Sequence, residues 1–145
     1  MRLIFSVLLI LVIFNGCALA QVPQVCFQKD CIAVTVTSTE EEMIKGLSWH
    51  KPLKSKDGML FIFDKEGKYS FWMNDMKFNL DILWLNKTGK VVYIMENLPP
   101  CTHDSCPKYS SSDPAQYVLE TSSGYVKEHH IKIGDNALLS KDHVR

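Results

Sequence analysis

The chain lacks an excess of charge of either sign: 16 basic and 16 acidic residues balance across 145 positions. The basic field that draws a protein to nucleic acid or to an anionic membrane surface is therefore missing, and a nucleic-acid function is disfavoured. Long hydrophobic runs are also missing. The most apolar stretch, Leu3 to Phe14, is too short for a comfortable membrane span. No internal repeat or low-complexity tract is present, which excludes propellers and solenoids. No serine sits in a nucleophile-elbow pattern and no HExxH motif occurs, so a hydrolase lacks its usual supports.

What is there begins with a leader. Arg2 supplies one positive charge ahead of the apolar stretch, and Ala18-Leu19-Ala20 is a small-x-small tripeptide of the kind that export peptidases cut. Residues 1–20 thus read as a signal peptide, with Gln21 as the mature N-terminus. Two alternatives stay open. Gly16-Cys17 resembles the end of a lipobox, although Phe14 and Asn15 fit that motif poorly, and the stretch to Ala20 could remain as an uncleaved anchor. Membrane association is expected only in those two cases. Residues 21–145 suit a single domain with a real core, and the expected location is extracytoplasmic, secreted or periplasmic.

Four cysteines follow the leader in two pairs of identical spacing, Cys26 with Cys31 and Cys101 with Cys106. Three connectivities are possible. An oxidising compartment favours disulfides, and pairing within each motif is the economical choice. The resulting loops are short, so each bridge would contribute about 2 kcal/mol or less. A zinc site using His103 is the alternative, and four-residue gaps are loose for it.

Strand signals dominate the rest. Ile32 to Val36 alternates with the period of a half-buried strand. Ser38 with Glu41 and Thr39 with Glu42 offer two overlapping capping boxes for a short helix ending at Gly46; carboxylates on the helix dipole explain Glu40 to Glu42 without a ligand. Met59–Phe63, a turn at Asp64–Lys68 and Tyr69–Met73 predict a hairpin. Leu80–Leu85, Asn86–Gly89 and Lys90–Met95 predict a second. Asn97 to Pro114 reads as a long polar loop, Tyr117–Glu120 as a strand, Ser123–His130 as a short helix or turn, and Ile131–Leu139 as a closing strand interrupted at Gly134-Asp135. The expected class is mostly β, a compact antiparallel sandwich or barrel with one or two short helices.

Gly46-Leu47, Asp57-Gly58-Met59-Leu60-Phe61, Phe71-Trp72-Met73-Asn74 and Leu80-Asp81 stand in the order of the signature of the domain of unknown function 192 family. Cys101, Cys106-Pro107, Tyr109, Tyr117–Glu120, Gly124 and Gly134-Asp135 continue it. The chain resembles that family from about Ile32 to Leu139. Trp49-His50 and Asn74-Asp75 depart from its pattern. The resemblance implies a jelly-roll-like β-sandwich, often exported, and no activity, so function has to be argued from a site.

The most unusual constellation is Phe71 to Asn74 with Asp81. Strand alternation sends Trp72 and Asn74 to one face, where an aromatic plate beside an amide suits a glycan, a peptide or another small ligand. The expected ligand-binding residues are Trp72, Asn74, Asp81, Tyr109 and His50, in a cleft between the Trp49–Asp57 loop, the Phe71–Asn74 segment and the Cys101–Tyr109 loop. The commoner explanation is that Trp72 belongs to the core and Asn74 to a turn. A desolvated Asp81 needs partners, from His50, Lys51 or a backbone amide; with Glu120 or His50 it would make an acid/base pair for hydrolysis. Met59, Met73, Met76 and Met95 with His103, His129 and His130 form the soft-metal alternative; methionines in strands more often fill core gaps. No cofactor is expected.

Overall fold

The computed structural model describes residues 22–103 and 105–140. The leader at 1–20 and its processing lie outside them. The elements run β1 (Gln24–Phe27), β2 (Asp30–Thr37), α1 (Glu40–Lys45), β3 (Asp57–Gly67), β4 (Ser70–Trp72), β5 (Leu80–Leu85), β6 (Val91–Leu98), β7 (Lys108–Ser110), β8 (Ala115–Ser122), α2 (Tyr125–Glu128) and β9 (Ala137–Leu139). The domain is mostly β, as the sequence predicts. Seven strands form one sheet in the order β6-β5-β8-β3-β2-β1-β9, and β4 with β7 forms a second, two-stranded sheet. β2 and β3 pair in parallel while their other neighbours are antiparallel, because α1 and the loop after it carry the chain across between them.

The large sheet curls until its outer strands meet. Lys90 and Asn136 bridge, the Val91 N–H donates to the Asp135 carbonyl at 2.8 Å, and the Ala137 N–H donates to Gly89 at 2.8 Å. Gly89 is required at this seam: its φ is 82°, and a Cβ there would sit 2.5 Å from the Ala137 carbonyl oxygen. The curl makes two cores. Leu60, Leu83, Leu85, Tyr117 and Leu119 point into the concave side with Val25, Ile32, Val91 and Val126. Met59, Phe61, Ile82, Trp84 and Val118 alternate to the outer side, where they meet Met73, Met76 and Leu98. Every residue of β5 is consequently buried, the reason its sequence is a continuous apolar run broken only by Asp81.

Local signals hold well at α1. Thr39 Oγ1 accepts from the Glu42 N–H at 3.3 Å and the Glu42 carboxylate receives Thr39 in return, so the second of the two capping boxes is the one used. These bonds, the Thr39 hydroxyl first, lower the Glu42 carboxyl from its usual range. The hairpin predicted at Leu80 to Met95 is present as β5 and β6. The one predicted at Met59 to Met73 is not. Asp64 to Gly67 stays extended as the end of β3, and β4 pairs with β7 through Ser70↔Ser110, Phe71↔Tyr109 and Trp72↔Lys108. Tyr69 stacks on Phe63 with ring centroids 3.5 Å apart, and the Lys87 N–H binds the Glu66 carboxylate. Those contacts draw the connection out and turn β4 away from its sequence neighbour. The long polar segment thereby contributes a strand, and the closing strand shortens to Ala137–Leu139.

Candidate functional site

Where β4 leaves β3, a groove of about 620 Å³ opens between α1, the outer half of β3, β4 and the start of β7. Its floor comes from Phe61 and Phe63 of β3 and from Phe71 of β4. Phe71 is the hub, edge-on to Phe61 at 4.8 Å, Phe63 at 6.5 Å and Trp84 at 5.9 Å. Trp84 is locked by its indole N–H on the Tyr69 carbonyl, which fixes the hub in turn. Met43 and Ile44 of α1 form one wall. Trp72, Tyr69 and Ser70 line the groove from the other side, with Lys108 Nζ 5.9 Å from the Trp72 ring. Trp72 is 46% exposed, unusual for a tryptophan beside an aromatic core. Ser38, Glu40, Asp64, Lys65 and Lys108 give a rim of mixed charge.

Strand pairing leaves part of β3 open to this groove. β2 pairs with β3 only as far as Thr37↔Phe61, and β8 pairs at Ile62 and next at Gly67. Five consecutive residues, Phe61 to Lys65, line the cavity. Consecutive residues of one strand point to opposite faces, so a cavity touching all five runs along the strand's edge.

The residues singled out from sequence are scattered around this feature. Trp72 lies on the groove. Asn74 lies beyond it, its amide donating to the Asp75 carboxylate at 2.9 Å and its backbone bridging to Cys101. Tyr109, opposite Phe71 on β7, is half-buried against the outer core. His50 is exposed beside a smaller hollow of about 270 Å³ lined by Leu47, Leu53, Asp57 and Met59. Asp81 is fully buried and accepts three backbone N–H groups, from Asn97 at 2.8 Å and from Gly124 and Val126 at 3.0 Å. Of the partners foreseen for it, the amides are the ones used, and they pin α2 and the end of β6 to β5.

Asp81 and Glu120 do not face each other. Asp81 is opposite Thr121 and Glu120 is opposite Ile82 on the neighbouring strand, so alternation sends the two carboxyls to opposite faces. Glu120 is 5% exposed between Met59 and Ile82, its Oε2 has no hydrogen-bond partner among the described residues, and burial pushes its pKa up to about 8. The Tyr125 hydroxyl is likewise buried without a partner among the described residues, and burial, then Asp30 and Glu128, push it up to about 12.

The soft-metal residues do not converge. Met59, Met73 and Met76 fill the outer core, and His129 rests on Asp30 and the Tyr125 ring. Among the described residues, one trio of metal-ligating types lies together, Cys101, His103 and Cys106, within 4.8 Å of one another, and its two sulfurs are at disulfide distance from each other. Cys26 and Cys31 are also at disulfide distance, directly across the β1–β2 hairpin.

The family model for domain of unknown function 192, described as an uncharacterized ACR, matches residues 24–138. The chain belongs to the DUF192 family. No curated protein matches it. Two solved structures share the DUF192 fold seen here. One, from Sinorhizobium meliloti 1021, is of a protein proposed to be a transcription regulator; it is 24% identical, with a TM-score of 0.75 over 81% of this chain and 92% of that one. The other, a protein of unknown function from Novosphingobium aromaticivorans DSM 12444, is 25% identical, with a TM-score of 0.72 over 80% of this chain and 83% of that one. The family and its structural neighbours supply a fold, and the groove beside Trp72 was not part of the sequence expectation for it. The signal that would have found it is Phe61, Phe63, Tyr69 and Phe71, an aromatic set split between two strands that do not pair.

Proposed function

We propose that this DUF192 domain is an extracytoplasmic binding module whose groove takes an extended peptide. The observation that carries the reading is an exposed Trp72 at the side of an aromatic groove that runs along the unpaired edge of β3. An open strand edge offers backbone N–H and C=O groups to a second chain, and the aromatic floor offers a pocket for an apolar side chain of that chain. The mixed charges of the rim suit a peptide backbone with polar flanks better than a strongly charged ligand. The apolar wall of Met43 and Ile44 and the floor of Phe61 and Phe71 favour a peptide over a glycan, which would want more hydroxyl and amide partners. Export is supported by the leader and by the two cysteine pairs at disulfide distance.

Purified mature protein titrated with a library of short apolar-centred peptides, read by tryptophan fluorescence, should show saturable binding. Trp72→Ala should weaken it at least about tenfold while unfolding at the same urea concentration as the parent. Binding of glycans with no response to any peptide would overturn the peptide reading, and silence towards both would overturn the module. Recovery of the full-length product from the cytosol, with leader intact and every thiol free, would overturn its location.

A further inference from the structure

The two cysteine pairs have the same spacing and quite different surroundings. Cys26 and Cys31 join neighbouring strands in register. Cys31 is exposed, and among the described residues no polar side chain comes within hydrogen-bond distance of either sulfur. Cys101 is buried at 6% and Cys106 half-buried. His103 Nε2 lies 3.5 Å from Cys101 Sγ. The His103 carbonyl oxygen is 3.2 Å from Cys106 Sγ and 3.9 Å from Cys101 Sγ, and Asn74 Oδ1 is 3.5 Å from Cys106 Sγ.

We propose that Cys101–Cys106 is a thiol–disulfide exchange site that takes dithiols, with His103 assisting the departing sulfur, while Cys26–Cys31 is a passive staple. This goes beyond the groove reading and does not depend on it. Exchange needs an accessible sulfur to attack and a stabilised sulfur to leave. Cys106 is the accessible one. A thiolate of the dithiol attacks Cys106 Sγ, a bond forms between the two sulfurs, and the Cys106–Cys101 bond breaks with its electron pair going to Cys101. That thiolate emerges beside the His103 ring, where a proton on Nε2 stabilises it and is available to it. The second thiolate of the dithiol then attacks its partner sulfur, Cys106 leaves as a thiolate and takes a proton. The dithiol has become a disulfide, and two electrons and two protons have passed to the cysteine pair.

The reduced state also has its partners in place. The His103 carbonyl and Asn74 Oδ1 stand where the new S–H groups would donate. Asn74 is held by its bond to Asp75 and by the bridge of its backbone to Cys101, so the acceptors do not have to be recruited. Run in reverse, the reduced pair would pass its electrons to the disulfide of an exported polypeptide.

Exposure and chemistry point to different pairs, which makes the test sharp. If access alone governed, the pair with exposed Cys31 would open first. The oxidised mature protein is treated with dithiothreitol, quenched with an alkylating maleimide at intervals, and mapped by peptide mass spectrometry. Cys101–Cys106 should open at least about tenfold faster than Cys26–Cys31. His103→Asn should slow the first opening and leave the second unchanged, an internal control for any general loosening of the fold. Glutathione, a monothiol, should be caught as a mixed disulfide on Cys106 in the intact protein. Equal opening rates, or faster opening of Cys26–Cys31, would overturn the proposal without any variant having to fold. Capture of glutathione on Cys101, or no effect of His103→Asn on the first opening, would overturn the assignment of the attacked sulfur or of the histidine.

Discussion

Replacing Glu120 by Met should remove much of the loss of stability that this domain undergoes as pH rises from about 4.5 to about 8. The carboxyl lies between Met59 and Ile82 on adjacent strands, 5% exposed, with Oε2 unpartnered, and burial alone pushes it from 4.5 up to about 8. In the unfolded chain the same group releases its proton near 4.5. The native state therefore binds a proton more tightly than the unfolded state, and stability must fall as pH rises between those values. The full stabilising preference for the protonated form is present below about pH 4.5, is lost progressively from there to about pH 8, and changes little beyond. Such a shift corresponds to about 5 kcal/mol across the window, with about 3 kcal/mol already gone at pH 7. Met is close in volume and leaves no charge to desolvate. Urea unfolding followed by tryptophan fluorescence at pH 5, 7 and 9 measures the comparison, and the other titrating groups cancel between parent and variant. Glu120→Met should be more stable than the parent by about 1–3 kcal/mol at pH 5, where it removes an unpartnered polar group. Its advantage should then widen by several kcal/mol at pH 9. A difference that stays constant across the three pH values would refute the reasoning, because it would mean that Glu120 is solvated or paired when charged.

Asp81→Asn should be destabilising by about 2–4 kcal/mol, since an amide NH2 in place of one carboxylate oxygen confronts N–H donors that already have no other acceptor; a midpoint of chemical unfolding within error of the parent would contradict this. Gly89→Ala should cost about 2–3 kcal/mol from positive φ and the close Ala137 carbonyl, and hydrogen exchange should show the Val91 and Ala137 amides losing protection before those of β3. Phe71→Ala should cost about 3 kcal/mol as the hub of the aromatic floor, measured as a lowered Tm together with loss of near-ultraviolet ellipticity.

Local chemistry was readable where the partner is near in sequence. Thr39 and Glu42 sit three residues apart, and the turn from Asn86 to Gly89 joins strands that do pair, so α1 and the β5–β6 hairpin could be placed from residue types. Asp64 to Gly67 has the same polar, glycine-ending composition as a turn, and there it misleads. Composition marks where a chain could reverse; it does not choose between the adjacent strand and β7, nearly forty positions away on the far side of β5 and β6. β1 leaves no signal in the sequence for a related reason: four residues, half of them polar or cysteine, carry too short an alternation to stand out, and its place is set by pairing on both sides, with β2 and β9. Trp72 was recognised as unusual from its neighbours, yet the groove it borders needs α1, β3 and β7 brought together. Asp81 announced that it would need partners, whereas Glu120, ending an apolar strand, gave no sign that both flanking strands would cover it.

The seam between β1 and β9 places Gln24 and Ser140 hand in hand, with the Ser140 N–H on the Gln24 carbonyl at 3.1 Å and the Gln24 N–H on the Ser140 hydroxyl at 3.3 Å. From Gln24 to Ser140 the backbone is thus a ring in everything but one covalent link. Within the described residues, the two ends of the sheet-built body therefore sit side by side rather than at opposite poles.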